Sequence, residues 1–328
     1  DPSAAPYLCA MADAIHAGGA MAEVELDHGG ALCSPEFIGG KNAFGPSGYM
    51  DAWGDTVEEI KAQYDEVKDF LTALVGDFLG GDRLRMLIVP GNHDVSFPHS
   101  RGSMTPEADE HKKENARLFW GGEASLRWDW KEVGFCRIAD PVLYAQRYEL
   151  FRAFYDGFYE GRRMYPRNPQ VASESYEFYQ DKVAFALFNS CRGLDHLNDT
   201  ADIDEEAIVH VTPTLRSSYN KGYLNVAVWH HHFYGAPRET NYLDREVINK
   251  LSHSYVQMGL FGHQHVTQIA EFYGGDLMLS EAADNQRVLL VSSGTLFGGK
   301  KELGEHARKL YQNPYVEQVL TSLPFKPK

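Results

Sequence analysis

Cysteine is scarce in this chain, and the little there is does not build a framework. Cys9, Cys33, Cys136 and Cys191 are widely spaced with no C-x-x-C pair, which excludes a disulfide scaffold and a zinc ribbon and makes a reducing, cytoplasmic setting the expectation. Long apolar runs are also missing. No stretch approaches the roughly 18 apolar residues of a membrane-spanning helix, and the N-terminus lacks the basic region of a secretion signal, so no membrane partner is expected. Basic residues are in deficit, with 31 Lys and Arg against 46 Asp and Glu and a net charge of -15. Such a chain repels polyanions. Its Lys and Arg cluster only in short pairs such as Lys112-Lys113, Arg162-Arg163 and Lys300-Lys301, so nucleic acid is not an expected partner. There is no internal repeat and no low-complexity tract, and a start at Asp1 in place of Met is what a trimmed or incomplete chain would show.

What is present is ample apolar material. At 328 residues, 43% hydrophobic and 23% charged, the chain can bury a large core, and it reads as a single domain over 1–328. Apolar residues at Val57, Ile60, Tyr64, Val67, Leu71 and Leu74 step by three and four, which predicts a helix lying on a sheet. Residues 84–89 form a mostly apolar run stopped by Pro90-Gly91, which predicts a buried strand. The same shape recurs at 182–188 before Asn189-Ser190, at 224–229 before three histidines, and at 256–261 before Gly262-His263. Further strands are expected at 276–279 and 288–291. Residues 101–175 turn aromatic and charged, as in Phe151, Phe154, Tyr155 and Phe158 at helical spacing, and are expected to form a helical insertion beside a site. Residues 1–54 are atypical, rich in Gly and Ala without a clear strand or helix, as in a diverged segment or one from a shifted reading frame. The end, 323–328, reads as a tail or linker.

Each predicted strand delivers polar residues at its C-terminal end, where open α/β sheets place their sites. Gly91-Asn92-His93-Asp94, His230-His231-His232 and Gly262-His263-Gln264-His265 all stand in such positions. His263 and His265 are two apart, so in extended backbone they face one side. Asp, Asn and His donors without thiolates suit Mn, Fe or Zn better than Ca. Remaining histidines, among them His99, His111, His196, His210, His253 and His306, are expected at the surface or in packing.

The order of these motifs resembles the calcineurin-like metallophosphoesterase superfamily, whose pattern runs D-x-H, G-D, G-N-H-[DE], H-H and G-H-x-H. The residues that carry the resemblance are Gly54-Asp55, Gly91-Asn92-His93-Asp94, His230-His231 and Gly262-His263-Gln264-His265, over about residues 55 to 300. Phe188-Asn189-Ser190-Cys191 and Trp229-His230-His231 are similar to the phosphodiesterase-type branch. No D-x-H lies upstream of Asp55. The interval from Asp55 to Asn92 leaves room for a helix and a returning strand, whereas Asp77 is too close for such a crossover.

The resemblance implies an α/β fold, a four-layer α-β-β-α sandwich with two mixed sheets and the metal site at the C-terminal ends of the strands. It implies two divalent or trivalent ions, Mn, Fe or Zn. One would take Asp55, Asn92, His230 and His263. The other would take His265, the shared Asp55 and the first motif, for which Asp13, His16, Asp27 and His28 are the candidates. The implied activity is phosphoester hydrolysis by a phosphodiesterase or phosphatase acting on a small substrate such as a nucleotide, with a metal-bridging hydroxide attacking phosphorus. In that chemistry His93 would serve the leaving oxygen and Asp94 would orient His93, as the catalytic pair. Asn92, His93 and His231 would face substrate. The alternatives are a nuclease, or a catalytically impaired member acting as a sensor or interaction module.

Overall fold

The computed structural model describes residues 57–233, 241–264, 268–273 and 287–293. The first described element is helix α1, Val57–Phe78, as its periodicity predicts, with Ile60, Tyr64, Leu71 and Val75 on its buried face. A one-turn 3-10 helix, Arg83–Arg85, follows, and a second spans Asn92–Asp94. The stretch between them differs from the strand predicted over 84–89: it is extended but joins no ladder among the described residues. Its carbonyls are taken by side chains, because Arg163 donates to the Leu84 and Met86 oxygens at 2.7 and 2.9 Å and the Tyr159 hydroxyl donates to Met86 at 2.8 Å.

The chain then runs through helix α2, Phe97–Gly102, strand β1, Met104–Pro106, helix α3, Lys112–Trp120, strands β2, Leu126–Asp129, and β3, Gly134–Ile138, and helices α4, Pro141–Ala145, and α5, Glu149–Phe158. The region expected to be a helical insertion therefore also holds a three-stranded antiparallel sheet, ordered β1-β3-β2. The aromatic stripe of α5 packs on α1, with Phe151, Phe154, Tyr155 and Phe158 buried in one cluster with Ile60, Tyr64, Leu71 and Val75. The rings of Tyr64 and Phe154 stack at 5.0 Å.

The second half is built on one six-stranded mixed sheet: β4, Ser173–Phe178; β5, Val183–Phe188; helix α6, Glu205–Asn220; β6, Leu224–Val228; helix α7, Arg245–His253; β7, Met258–Phe261; β8, Gln268–Tyr273; and β9, Arg287–Ser292. The order is β4-β5-β6-β7-β9-β8; the four central strands run parallel and the two edge strands antiparallel. Parallel neighbours need a crossover, and α6 and α7 supply it. Each starts at an aspartate, Asp204 and Asp244, whose carboxylate accepts the N–H of the residue two further on, which satisfies an end group the helix leaves open.

One sheet face packs these helices. Ala186, Ala227 and Gly259 lie in register across β5, β6 and β7, and this small row leaves room for the Trp229 indole. A Cβ on Gly259 would stand 2.3 Å from that ring. The opposite face, alternating with the first, is as apolar, with Val183, Phe185, Leu187, Val226, Val228, Met258, Leu260, Leu289 and Val291, all buried or half-buried. The chain is thus a mixed α/β protein, with two sheets and several helices among the described residues. Among the described residues no helix is long and apolar enough to cross a membrane.

Candidate metal centre

Strands β6 and β7 are parallel neighbours, so the residues that follow them emerge side by side. The ladder continues past the strands, the Trp229 N–H donating to Leu260 at 3.1 Å and the Gly262 N–H to His230 at 3.0 Å. This pairing brings His230 Nε2 to 3.1 Å from His263 Nδ1. His263 sits at φ +73°, in the left-handed region. For a residue with a side chain that conformation costs about 1–3 kcal/mol, and it persists only where the surroundings hold it.

The third segment is the turn Asn92–Asp94. Asn92 Oδ1 lies 2.7 Å from the same His230 Nε2. Gly91 makes the approach possible, since a Cβ there would stand 3.1 Å from the His230 ring. Asp94 holds the turn. Its Oδ1 accepts from the Tyr64 hydroxyl of α1 and its Oδ2 from the Gly91 N–H, both at 2.7 Å. Burial pushes the Asp94 carboxyl above its ordinary range and the Tyr64 hydroxyl well above its own.

His231 is fully buried. Its Nδ1 lies 2.9 Å from Ser190 Oγ, and its carbonyl accepts from the Trp229 indole N–H at 2.7 Å. Burial, and then the neighbouring His263, push the imidazole well below the usual histidine range, which keeps it neutral. His230, His231 and His263 each offer a nitrogen, and these atoms lie within 4.8 Å of one another.

Two donors bound to one ion at about 2.0–2.1 Å, at angles of about 90–110°, stand about 2.9–3.4 Å apart. The Asn92–His230 and His230–His263 separations are close to that spacing. The set is neutral, two imidazoles and an amide oxygen, which suits a borderline transition ion over Ca²⁺ or Mg²⁺. With no carboxylate from the described residues in it, the positive charge of such an ion stays on the site.

Of the predicted site residues, the fold brings together Asn92, His230, His231 and His263, and it places His93 and Asp94 on the same single turn as Asn92. Asp55, His265, Asp13, His16, Asp27 and His28 lie outside the described residues, as do the strand expected at 276–279 and the atypical segment 1–54. Several other histidines bond elsewhere: His99 to Ser96, His196 to Ser100, His210 to Ser173 and His253 to the Asn249 carbonyl. His232 is buried against Phe233 and Phe261. Sequence reasoning gave no role in the site to Ser190 or Tyr64. Ser190 was findable as the polar residue ending an apolar strand; Tyr64 carries no such signal, because it also fits the apolar face of its helix.

No protein-family profile matches the chain. Among curated proteins, a segment of 172 residues is 28% identical to the "Probable NADH-dependent flavin oxidoreductase YqiG" of Bacillus subtilis (strain 168), covering 52% of this chain and 42% of that protein. The chain thus spans less than half the length of this relative. This likeness corrects the expectations drawn from motif order. Membership of the calcineurin-like metallophosphoesterase superfamily, phosphoester hydrolysis as phosphodiesterase, phosphatase or nuclease, the impaired-member alternative and a binuclear Mn, Fe or Zn cofactor are all overturned by it, since the relative's name is that of a redox enzyme working with NADH and a flavin. The physical reason the motifs misled is that histidines at strand ends report where a sheet gathers polar donors. The reaction run on them is not encoded in that spacing.

Proposed function

We propose that the described part of this chain binds a single transition-metal ion between Asn92, His230 and His263. The observation that carries the reading is the convergence of Asn92 Oδ1 and His263 Nδ1 on one atom, His230 Nε2, at 2.7 and 3.1 Å. Strain at His263 and the clearance at Gly91 support it, because both favour close approach of donors over comfortable packing. An ion there would supply Lewis acidity to a ligand drawn to its charge. The test is to strip the full chain with a chelator and titrate it with Zn²⁺ and Co²⁺, reading stoichiometry by metal analysis and the ligand set from the cobalt absorption. One ion per chain is expected, lost in His230→Ala and in His263→Ala. Retention of the ion by both variants, or no binding by the parent, would overturn the reading.

A second reading rests on the comparison: oxidoreduction that depends on NADH and a flavin. Its support is the 172-residue likeness. The described residues around the outer hollow of about 300 Å³ between α6 and α7 do not fit a flavin. Glu205, Glu246, Lys250 and His253 make that lining open and charged, unlike the apolar slot a flat ring system needs. The visible absorption of the purified chain before and after added flavin, with NADH consumption as readout, tests this reading; no retained flavin and no NADH consumption would sink it.

For architecture we propose the four-layer sandwich, with the six-stranded sheet as one of its two inner layers. The support is the second sheet face, as apolar as the one covered by α6 and α7; parallel strands are ordinarily buried on both faces.

A further inference from the structure

Arg147 is 1% exposed, on the one-turn 3-10 helix Gln146–Tyr148 that joins α4 to α5. Arg127, Arg137 and Arg192 each meet a carboxylate. Arg147 meets none among the described residues. Its guanidinium lies 3.9 and 4.9 Å from the ring centres of Tyr144 and Tyr148 and directs its N–H groups at carbonyls: Nε donates to Leu194 at 3.0 Å, and the two terminal nitrogens donate to Tyr144 at 3.0 Å and Arg192 at 2.7 Å. Taking a guanidinium out of water is costly. What this one supplies in return is geometry, because a rigid planar fork holds several acceptors at fixed spacing.

Two of those acceptors, Arg192 and Leu194, belong to the loop that leaves β5 through Ser190, and Ser190 Oγ accepts the His230 N–H at 3.1 Å. The adjoining Tyr148 hydroxyl donates to Cys191 of the same loop. On its other side Arg147 is bonded to the turn arm, since its own carbonyl accepts the Ser96 N–H at 2.8 Å, just past Asp94. Val95, Tyr148, Cys191 and Leu194 close into one buried cluster between the two, and the Cys191 thiol donates to the Pro90 carbonyl at 3.5 Å, ahead of the turn. Backbone pairing holds His230 to His263, but no ladder among the described residues holds Asn92 to either. We propose that Arg147 is the positioning residue that sets the separation of Asn92 from His230, its fork fixing loop 191–194 and its carbonyl fixing the end of the turn. This rests on the single-ion reading above.

The experiment pairs Arg147→Lys, which keeps the charge and loses the fork, with Ser96→Pro, which removes the N–H at the far end of the same path. Proline fits there, since Ser96 lies at φ -72° and Val95 before it at φ -88° and ψ 116°. Ser96→Ala, which lacks the hydroxyl and keeps the N–H, is the baseline for it. In the metal-free full chain, amide hydrogen exchange at Ser96 and at His230 should quicken together in Arg147→Lys while β6 and β7 stay slow. Zn²⁺ affinity of the folded protein should fall about 10–100-fold in Arg147→Lys, and by a similar factor from Ser96→Ala to Ser96→Pro, as for other residues that orient a metal ligand. The Co²⁺ absorption of both variants should move to that of Asn92→Ala, because the displaced donor is the same. A parent-like cobalt spectrum in folded Arg147→Lys, with only a lower urea midpoint, is the result of a merely structural role and would overturn the proposal; so would equal affinity in Ser96→Pro and Ser96→Ala. If Arg147→Lys does not fold, the Ser96 pair decides alone. Failure of the parent to bind Zn²⁺ refutes the ion reading, whereas unchanged exchange at Ser96 and His230 in metal-free Arg147→Lys refutes the positioning.

Discussion

The two arms of the site are held by different physics. His230 and His263 are delivered by β6 and β7, neighbouring strands whose ladder runs on into Trp229 and Gly262, so their spacing is set by backbone hydrogen bonds inside a six-stranded sheet. Asn92 is delivered by a single 3-10 turn after an extended stretch in no described ladder. That arm is held by side chains: Arg163 and Tyr159 on the carbonyls before it, and Asp94 within it, itself held by Tyr64 of α1. A sheet spreads the task of positioning over many bonds, whereas the turn relies on a few, each removable by one substitution. The sheet arm should therefore fail with the fold, and the turn arm should fail by losing ion affinity first.

The largest expected effect is on the sheet arm. Gly259→Val puts carbon where the Trp229 ring and Leu290 already stand, at 2.3 and 2.8 Å from the first added atom. Overpacking of this kind costs about 3 kcal/mol. Urea denaturation should show that loss, with ion binding lost in parallel; an unchanged midpoint would mean that Trp229 can move aside. On the turn arm, Arg163→Ala removes the donors to two carbonyls and the cation stacked 3.7 Å from the Tyr176 ring, worth about 2 kcal/mol together. Its ion affinity should fall while hydrogen exchange in β6 and β7 stays slow. If exchange in those strands quickens as much as affinity falls, the two arms are not separable.

Smaller again is Tyr64→Phe, which leaves the Asp94 carboxylate short of one donor at a cost of about 1–2 kcal/mol. Zn²⁺ affinity should weaken while the His230 and His263 tautomers stay as they are. The smallest effect is one of pH on the helix after the turn. Burial holds the His99 imidazole below its ordinary value of 6.5. Its contribution to stability is therefore complete above pH 6.5 and is lost as pH falls through the lower folded-state value. His99→Gln should flatten the acid side of the stability profile, and an equal slope in parent and variant would exclude His99 as its source.

The same division explains what could be read in advance. Residues 182–188, 224–229 and 256–261 were legible as strands because buried parallel strands are nearly continuous apolar runs. The two antiparallel edge strands β4 and β8 were not, since β4 alternates polar and aromatic residues that are mostly half-buried and β8 is mostly exposed, so neither is a continuous apolar run. Residues 84–89 look equally apolar, yet they join no ladder among the described residues. The partners that capture their carbonyls, Tyr159 and Arg163, stand more than 70 positions further along the chain. That His230 and His263 follow buried strands was legible from the apolar runs before them, whereas Asn92 follows a stretch that joins no described ladder. The family and reaction attached to these residues were not legible, and the likeness to a flavin oxidoreductase corrected them.

By itself the sequence determined the α/β class, a helix from Val57 to Leu74, the buried central strands and which histidines would stand at their ends. These follow from the local alternation of apolar and polar residues, a property each segment carries alone. Only the tertiary structure decided that the Asn92 turn would be clamped by Tyr64 and Arg163, that Gly91 and Gly259 would give way to the rings of His230 and Trp229, and that the Ser190 hydroxyl would meet both the backbone and the ring of His231. Each of those depends on two or three atoms meeting from distant parts of the chain, and no local pattern records such meetings.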